Sequence, residues 1–185
     1  GVTRDPEKAM RKIIGLTKCI NWNEKDLAEE INGSHGVIHL AGENVMGRRW
    51  DDEHKSKILN SRVDTTKKIV GIINSVTQKP NVYLGASAIG YYGVQANECD
   101  EYSNKGNDFL SDVVSKWEDA SESLIGVRRV LVRIGIVLDK DEGALSSMIV
   151  PFKYFVGGPI GSGEQPFPWV HIDDIVNLFI YALEN

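Results

Sequence analysis

NVYLGASAIGYYG, residues 81–93, is the stretch on which the reading of this chain turns. Val82, Tyr83 and Leu84 follow Pro80, which closes the preceding helix, and form the start of a buried strand. Gly85, Ala86, Ser87 and Ala88 are small, so backbone and ligand can approach closely where a parallel strand ends. Tyr91 and Tyr92 come next, between Gly90 and Gly93. A hydroxyl at the carboxyl end of a parallel strand faces the crevice in which open α/β sheets bind ligands. The plainer alternative is a strand end with a satisfied serine and two packing tyrosines.

The flanking segments repeat the pattern. Residues 36–42, GVIHLAG, are an apolar run ending in small residues, as a central parallel strand requires. Asp51 is placed to cap a helix reaching about Val76, with Leu59, Val63, Thr66, Val70 and Ile73 on one face. Residues 108–124 read as a second amphipathic helix, with Leu110, Val113, Val114, Trp117 and Leu124 as its stripe. Residues 129–138 read as one buried strand, interrupted by Arg133, which needs partners there or serves a substrate anion. Upstream, residues 1–4 read as a strand end, Asp5 and Pro6 as a helix start, 16–22 as a short strand and 25–31 as a helix. Downstream come a helix over 144–155 interrupted at Pro151, a glycine-rich loop over 156–163, an extended piece over 168–172, and a last helix over 175–183 capped by Asp173 or Asp174. Strands alternating with helices predict an α/β fold with a doubly wound, Rossmann-type parallel sheet.

Composition narrows the function. The 185 residues amount to one domain or most of one; 42% hydrophobic and 25% charged residues favour a packed core over disorder. A formal net charge of −5 without a basic patch argues against a nucleic-acid partner. Cys19 and Cys99 lack metal-ligand spacing and fit a reducing compartment, the cytoplasm; no metal site is expected. No apolar run is long enough to span a bilayer, so no membrane partner is expected. Gly1 in place of Met, and an end at Asn185, read as a piece of a longer protein.

Three stretches then agree in order and spacing: GVIHLAGEN, NVYLGASAIGYYG and FPWVHIDDI. Together they resemble the extended short-chain dehydrogenase/reductase superfamily, of the NAD-dependent epimerase/dehydratase type. GRRWDDEHK, SRVDTT and GGPIGSGEQPFPWVHIDD resemble its epimerase-family branch, whose members carry labels of sugar-nucleotide epimerase or cell-division inhibitor. The resemblance implies NAD(P) along the strand ends and a smaller substrate region. Residues 1–139 would be a partial NAD(P)-binding domain, 140–166 a segment toward the substrate region, and 167–185 a return to the Rossmann domain. The first strand and its GxxGxxG turn are absent, and the 157–163 glycines, far downstream, are assigned to the substrate side.

The resemblance also assigns site residues. Ser87 matches the family serine that hydrogen-bonds the reacting oxygen. Lys116 matches the lysine of the Tyr-x-x-x-Lys pair, which binds the nicotinamide ribose, while Asp112 occupies the tyrosine position. A carboxylate cannot donate the phenol's proton. Asp112 and Lys116 then form at most an exposed ion pair, and Tyr91 or Tyr92 either replaces the phenol or packs under the cofactor. Thr3 and Arg4, at the end of the second family strand, suit a 2′-phosphate and so NADP, with Asp5 turned away as a cap. Leu40, Ala41, Gly42, Glu43 and Ala86 would border the cofactor. His171 is expected in the core, and Trp50 with Arg49 as a lid edge. Two functions remain open: an NADP-dependent oxidoreductase or epimerase-like protein acting on a small carbonyl or sugar-nucleotide substrate, or a catalytically degenerate NAD(P)-binding sensor.

Overall fold

A computed structural model describes every residue except Gly47, Ala96 and Ile160. Its elements run α1 (Pro6–Lys12), α2 (Glu24–Ile31), β1 (Gly36–His39), α3 (Asp52–Ser75), β2 (Val82–Ala88), a 3₁₀ turn (Ile89–Tyr92), α4 (Phe109–Asp119), β3 (Arg128–Ile134), β4 (Ile136–Leu138), α5 (Gly143–Lys153), β5 (Trp169–His171) and α6 (Ile172–Glu184). β1, β2 and β3 form one sheet in that order, and β4 pairs with β5. The fold is α/β with parallel strands and helical connections. Two compact units result: residues 1–83 with 120–129, and residues 84–119 with 130–185.

In the first unit, local capping starts each helix. Asp5 Oδ1 accepts from Lys8 N at 3.0 Å, Asn23 Oδ1 from Lys25 N at 2.9 Å, and Asp51 Oδ1 from His54 N at 2.7 Å. The buried residues of α3 are His54, Ile58, Thr66, Ile69, Val70, Ile72 and Ile73; Thr66, Val70 and Ile73 lie on the expected face, while Leu59 and Val63 are only half-buried. The two short N-terminal strands shrink to one parallel bridge, Val2 with Ile20, fixed by Ile20 N to Gly1 O at 2.9 Å and Thr3 N to Ile20 O at 3.0 Å. β1 stops at His39, so Leu40 to Glu43 leave the ladder. His39 is 2% exposed. Its Nδ1 lies 2.9 Å from the Tyr83 hydroxyl and 3.4 Å from Thr66 Oγ1.

In the second unit, Arg128–Ile134 and Ile136–Leu138 replace the single strand expected over 129–138. The break is Gly135, where an added Cβ would stand 2.9 Å from Pro168 O. That approach lets Ile136 N bond Pro168 O at 2.9 Å, and β4 continues parallel to β5 from the Ile136–Trp169 pair. α4 ends at Asp119, so Leu124 lies outside it. α5 runs through Pro151 to Lys153 rather than stopping there. His171, not an aspartate, caps α6: its Nδ1 accepts from Asp173 N at 3.2 Å. The ring is exposed, which corrects the core placement expected for it; the alternation of β5 puts His171 on the outer face with Trp169, opposite Val170. Gly93, at φ 68°, and Gly106 pack backbone to backbone, and Gly106 N bonds Tyr91 O at 2.9 Å. No helix among the described residues is long and apolar enough to cross a membrane.

Two stability predictions follow from these packing sites. Burial pulls the His39 pKa from 6.5 to about 4, so the unfolded chain binds the extra proton between those values. Stability contributed by neutral His39 is therefore full above pH 6.5 and is lost as pH falls toward 4, by roughly 3 kcal/mol. Urea denaturation from pH 4 to 7 should show this slope, and His39→Gln should flatten it; equal slopes would exclude His39. At Gly106 an added Cβ would lie 2.7 Å from Gly93 Cα, Gly93 N and Tyr92 O. These are backbone atoms that cannot swing aside, so Gly106→Ala should cost about 1–3 kcal/mol in thermal denaturation and alter the tyrosine near-UV circular dichroism. An unchanged spectrum and melting temperature would show that the turn accommodates a methyl group.

Candidate active site

Two groups of the expected site residues are assembled, one in each unit. In the first unit, Thr3 and Arg4 border a groove with a cavity of about 410 Å³. Leu40, Ala41, Gly42 and Glu43 line its other side, beyond the end of β1. The Val2–Ile20 bridge sets the position of Thr3 and Arg4, and it also brings in Trp22, two residues past Ile20. α3 supplies Ser61 and Thr65, whose i,i+4 spacing places them on one face. Glu43 N donates to Ser61 Oγ at 2.9 Å, pinning the loop to the helix.

Arg4 is exposed and makes no ion pair among the described residues, leaving its guanidinium available to an anion. Asp5 does not line the groove; its carboxylate is engaged as the α1 cap. Gly42 has a steric reason: a Cβ there would meet Arg62 Cζ at 3.0 Å. Arg62 donates to Ile58 O at 3.0 Å; burial lowers its pKa, and nearby Glu43 opposes that shift. Trp22, Ser61, Arg62 and Thr65 were not singled out as site residues from the sequence. The i,i+4 pair of small hydroxyls in SRVDTT was the available signal.

The second group is built around Arg133. Arg133 Nε and Nη2 donate to Glu118 Oε1 and Oε2, both at 2.9 Å, a bidentate pair. The two side chains are 20% and 15% exposed, so this is not a surface ion pair. Arg133 Nη1 donates to the Tyr92 hydroxyl at 3.0 Å and to Glu101 O at 3.4 Å. Its Cζ stands 3.6 Å from the centroid of the Tyr91 ring. Of the two roles open for Arg133, the structure shows the one held by a carboxylate. The hydrogen bond to Glu118, above all, drives its pKa upward, and the guanidinium stays charged.

Ser87, 3% exposed, donates through Oγ to Glu118 Oε1 at 2.5 Å. A carboxylate paired with arginine accepts only, so the serine proton is committed to it. Ala86 is buried beside Ser87 in β2. Arg133 meets the Tyr91 ring face at 3.6 Å, and Tyr92 through its oxygen and, at 5.1 Å, its ring. Their rings meet edge-on at 5.4 Å.

Lys116 is exposed on α4, and no hydrogen bond or ion pair joins it to Ser87, Tyr91 or Tyr92. Nor does Asp112 pair with it. The Asp112 carboxylate takes Lys105 Nζ at 2.5 Å, and that contact, with a smaller contribution from Lys116, holds it below the usual carboxylate range. Lys105 reaches it from the preceding loop, which spacing along the helix cannot reveal. Glu118 was also not singled out from the sequence; a carboxylate two residues after Lys116 gave no signal until Arg133 was folded against it.

Comparison with known proteins places this geometry in context. No family profile matches the chain. An epimerase family protein SDR39U1 homolog, chloroplastic, from Arabidopsis thaliana is 45% identical over 159 residues, which cover 84% of this chain and 46% of the relative. The crystal structure of human epimerase family protein SDR39U1 (isoform2) with NADPH superposes with a TM-score of 0.85 at 36% identity, over 99% of this chain and 60% of that one. The nucleoside-diphosphate sugar epimerase from Corynebacterium glutamicum gives 0.75 at 30% identity, over 90% and 38%. The chain spans about half the length of the curated relatives it matches. With strand ends, groove and sequence in agreement, the chain belongs to the extended short-chain dehydrogenase/reductase superfamily of the epimerase type.

Proposed function

We propose that the protein binds NADP and acts as an oxidoreductase or epimerase-like enzyme on a small carbonyl or sugar-nucleotide substrate. The observation that carries the proposal is the groove edge formed by Thr3 and by Arg4, which has no ion-pair partner among the described residues, in a groove also lined by the small residues Ala41 and Gly42. Arg4 offers a planar fork of donors to a 2′-phosphate, and Thr3 a hydroxyl beside it. Leu40 to Glu43 offer backbone that a dinucleotide can approach, because Gly42 has no Cβ. The human relative crystallised with NADPH supports the same choice of cofactor. When bound, the nicotinamide supplies the hydride chemistry. In this reading residues 1–139 are the cofactor-binding part, residues 140–166 lead toward substrate, and residues 167–185 return to the Rossmann domain. Cys19 and Cys99 are both free thiols, which supports a reducing compartment such as the cytoplasm.

One observation favours a second reading. Asp112 stands where a phenol would, and Lys105 holds it as an anion. A protein without a working proton donor would be an NAD(P)-binding sensor. Turnover separates the two readings.

The cofactor assignment is tested at Arg4. A charge-assisted contact is worth roughly 1.5–3 kcal/mol, on the order of 10- to 100-fold in affinity. Arg4→Ala in the full-length protein should weaken NADPH by about that factor and leave NADH nearly unchanged. Fluorescence titrations with each cofactor at fixed low salt measure both, since ions screen the contact. Equal losses, or a wild-type preference for NADH, would remove Arg4 from cofactor choice.

A further inference from the structure

Resting on the enzyme reading above, we propose that Tyr92 is the proton donor of the site and that Arg133, clamped by Glu118, is the residue that positions it. The expected Tyr-x-x-x-Lys arrangement is absent: Asp112 holds the tyrosine position and is tied to Lys105, and no hydrogen bond joins Lys116 to Tyr91 or Tyr92. The second unit nevertheless contains a phenol bonded to a fixed cation, on other residues. Arg133 Nη1 donates to the Tyr92 oxygen at 3.0 Å. An oxygen that accepts from a guanidinium has its own O–H free to point elsewhere, so Tyr92 presents a donor. Ser87 is polarised in the opposite sense. Its proton goes to Glu118, leaving Oγ lone pairs as an acceptor.

The guanidinium cannot drift from this role. Glu118 holds its Nε and Nη2, and the Tyr91 ring lies 3.6 Å from its Cζ. Tyr91 is therefore a platform, and its hydroxyl is not needed. When bound, NADPH would supply the hydride that a carbonyl carbon accepts, and the carbonyl oxygen, taking the electron pair of the broken π bond, would then need a proton. The Tyr92 O–H bond breaks as its proton passes to that oxygen. The phenolate left behind keeps the Arg133 hydrogen bond, which strengthens as charge develops, and regains its proton from water. Stabilising the phenolate is the work a lysine would do in the missing pair.

The test needs two readouts on the full-length protein. The first is NADPH oxidation with 9,10-phenanthrenequinone as probe carbonyl, alongside NADPH titrations. Tyr92→Phe should lower kcat by about 10²–10⁴-fold with NADPH affinity kept. Tyr91→Phe, which keeps the ring face under Arg133, should lose far less than Tyr92→Phe. The second needs no cofactor: the ultraviolet resonance Raman doublet of Tyr92, isolated by subtracting the Tyr92→Phe spectrum. It should have the intensity ratio of a phenol that accepts a strong hydrogen bond. Arg133→Met combined with Glu118→Leu, which leaves no charge buried alone, should abolish that signature. Turnover that survives Tyr92→Phe, an equal loss in Tyr91→Phe, or a doublet indifferent to Arg133 would overturn the proposal while leaving the enzyme reading intact. Wild-type protein that binds NADPH without oxidising it would overturn both. Failure to bind NADPH at all would overturn the cofactor assignment, and the Raman result would still decide the Arg133–Tyr92 contact.

Discussion

An arginine inside a β-strand must find an anion, and the bidentate Arg133–Glu118 pair is the constraint that orders the second unit's polar cluster. Both charges are largely withdrawn from water, so either one left alone would be costly. Their pairing orients Ser87 through Glu118 and Tyr92 through Arg133, and it seats the guanidinium on Tyr91. Three side chains from one strand–turn segment thus answer to a helix residue and a strand residue 15 positions apart. The backbone assists: Gly93 and Gly106 pack closely enough for Gly106 N to bond Tyr91 O, which holds the 3₁₀ turn that carries both tyrosines.

In the first unit, shape and capping matter more than charge pairing. β1 ends early, and the residues after it are small or held through backbone, as Glu43 is by Ser61. Gly42 leaves room for Arg62 to lie against the chain. The buried His39–Tyr83 contact shows what burial does to titration. The same loss of water pulls the imidazole pKa down to about 4 and pushes the phenol up to about 12, because each then avoids its charged form. Arg4, by contrast, stays in solvent at the groove edge, where a partner can still reach it.

Much of this was legible in the residues. The strand at 82–88, the capped helix from Asp51, the helix start at Asp5-Pro6 and the α/β alternation follow from local rules of propensity, spacing and capping. So does the placement of Ser87 at a strand end. The errors share one cause. Residues 129–138 are a single apolar run by composition, but Gly135 lets Pro168 approach and the run divides between two sheets. Local rules place His171 in the core and Asp173 at the cap, but β5 leaves His171 on its outer face, where its Nδ1 takes Asp173 N. Helical spacing pairs Asp112 with Lys116, while Lys105 comes to it from a loop.

The sequence by itself determined which segments are strands and helices, which residues end them, and which superfamily motifs stand in what order. These depend on interactions within a few positions, which periodicity and capping express directly. Only the tertiary structure decided the partners: Glu118 for Arg133, Arg133 for the Tyr92 hydroxyl and the Tyr91 ring, Glu118 for the Ser87 proton, and Lys105 for Asp112. A buried polar group must be satisfied, but nothing along the chain says by which distant residue; that is settled when strands and helices pack and water is excluded.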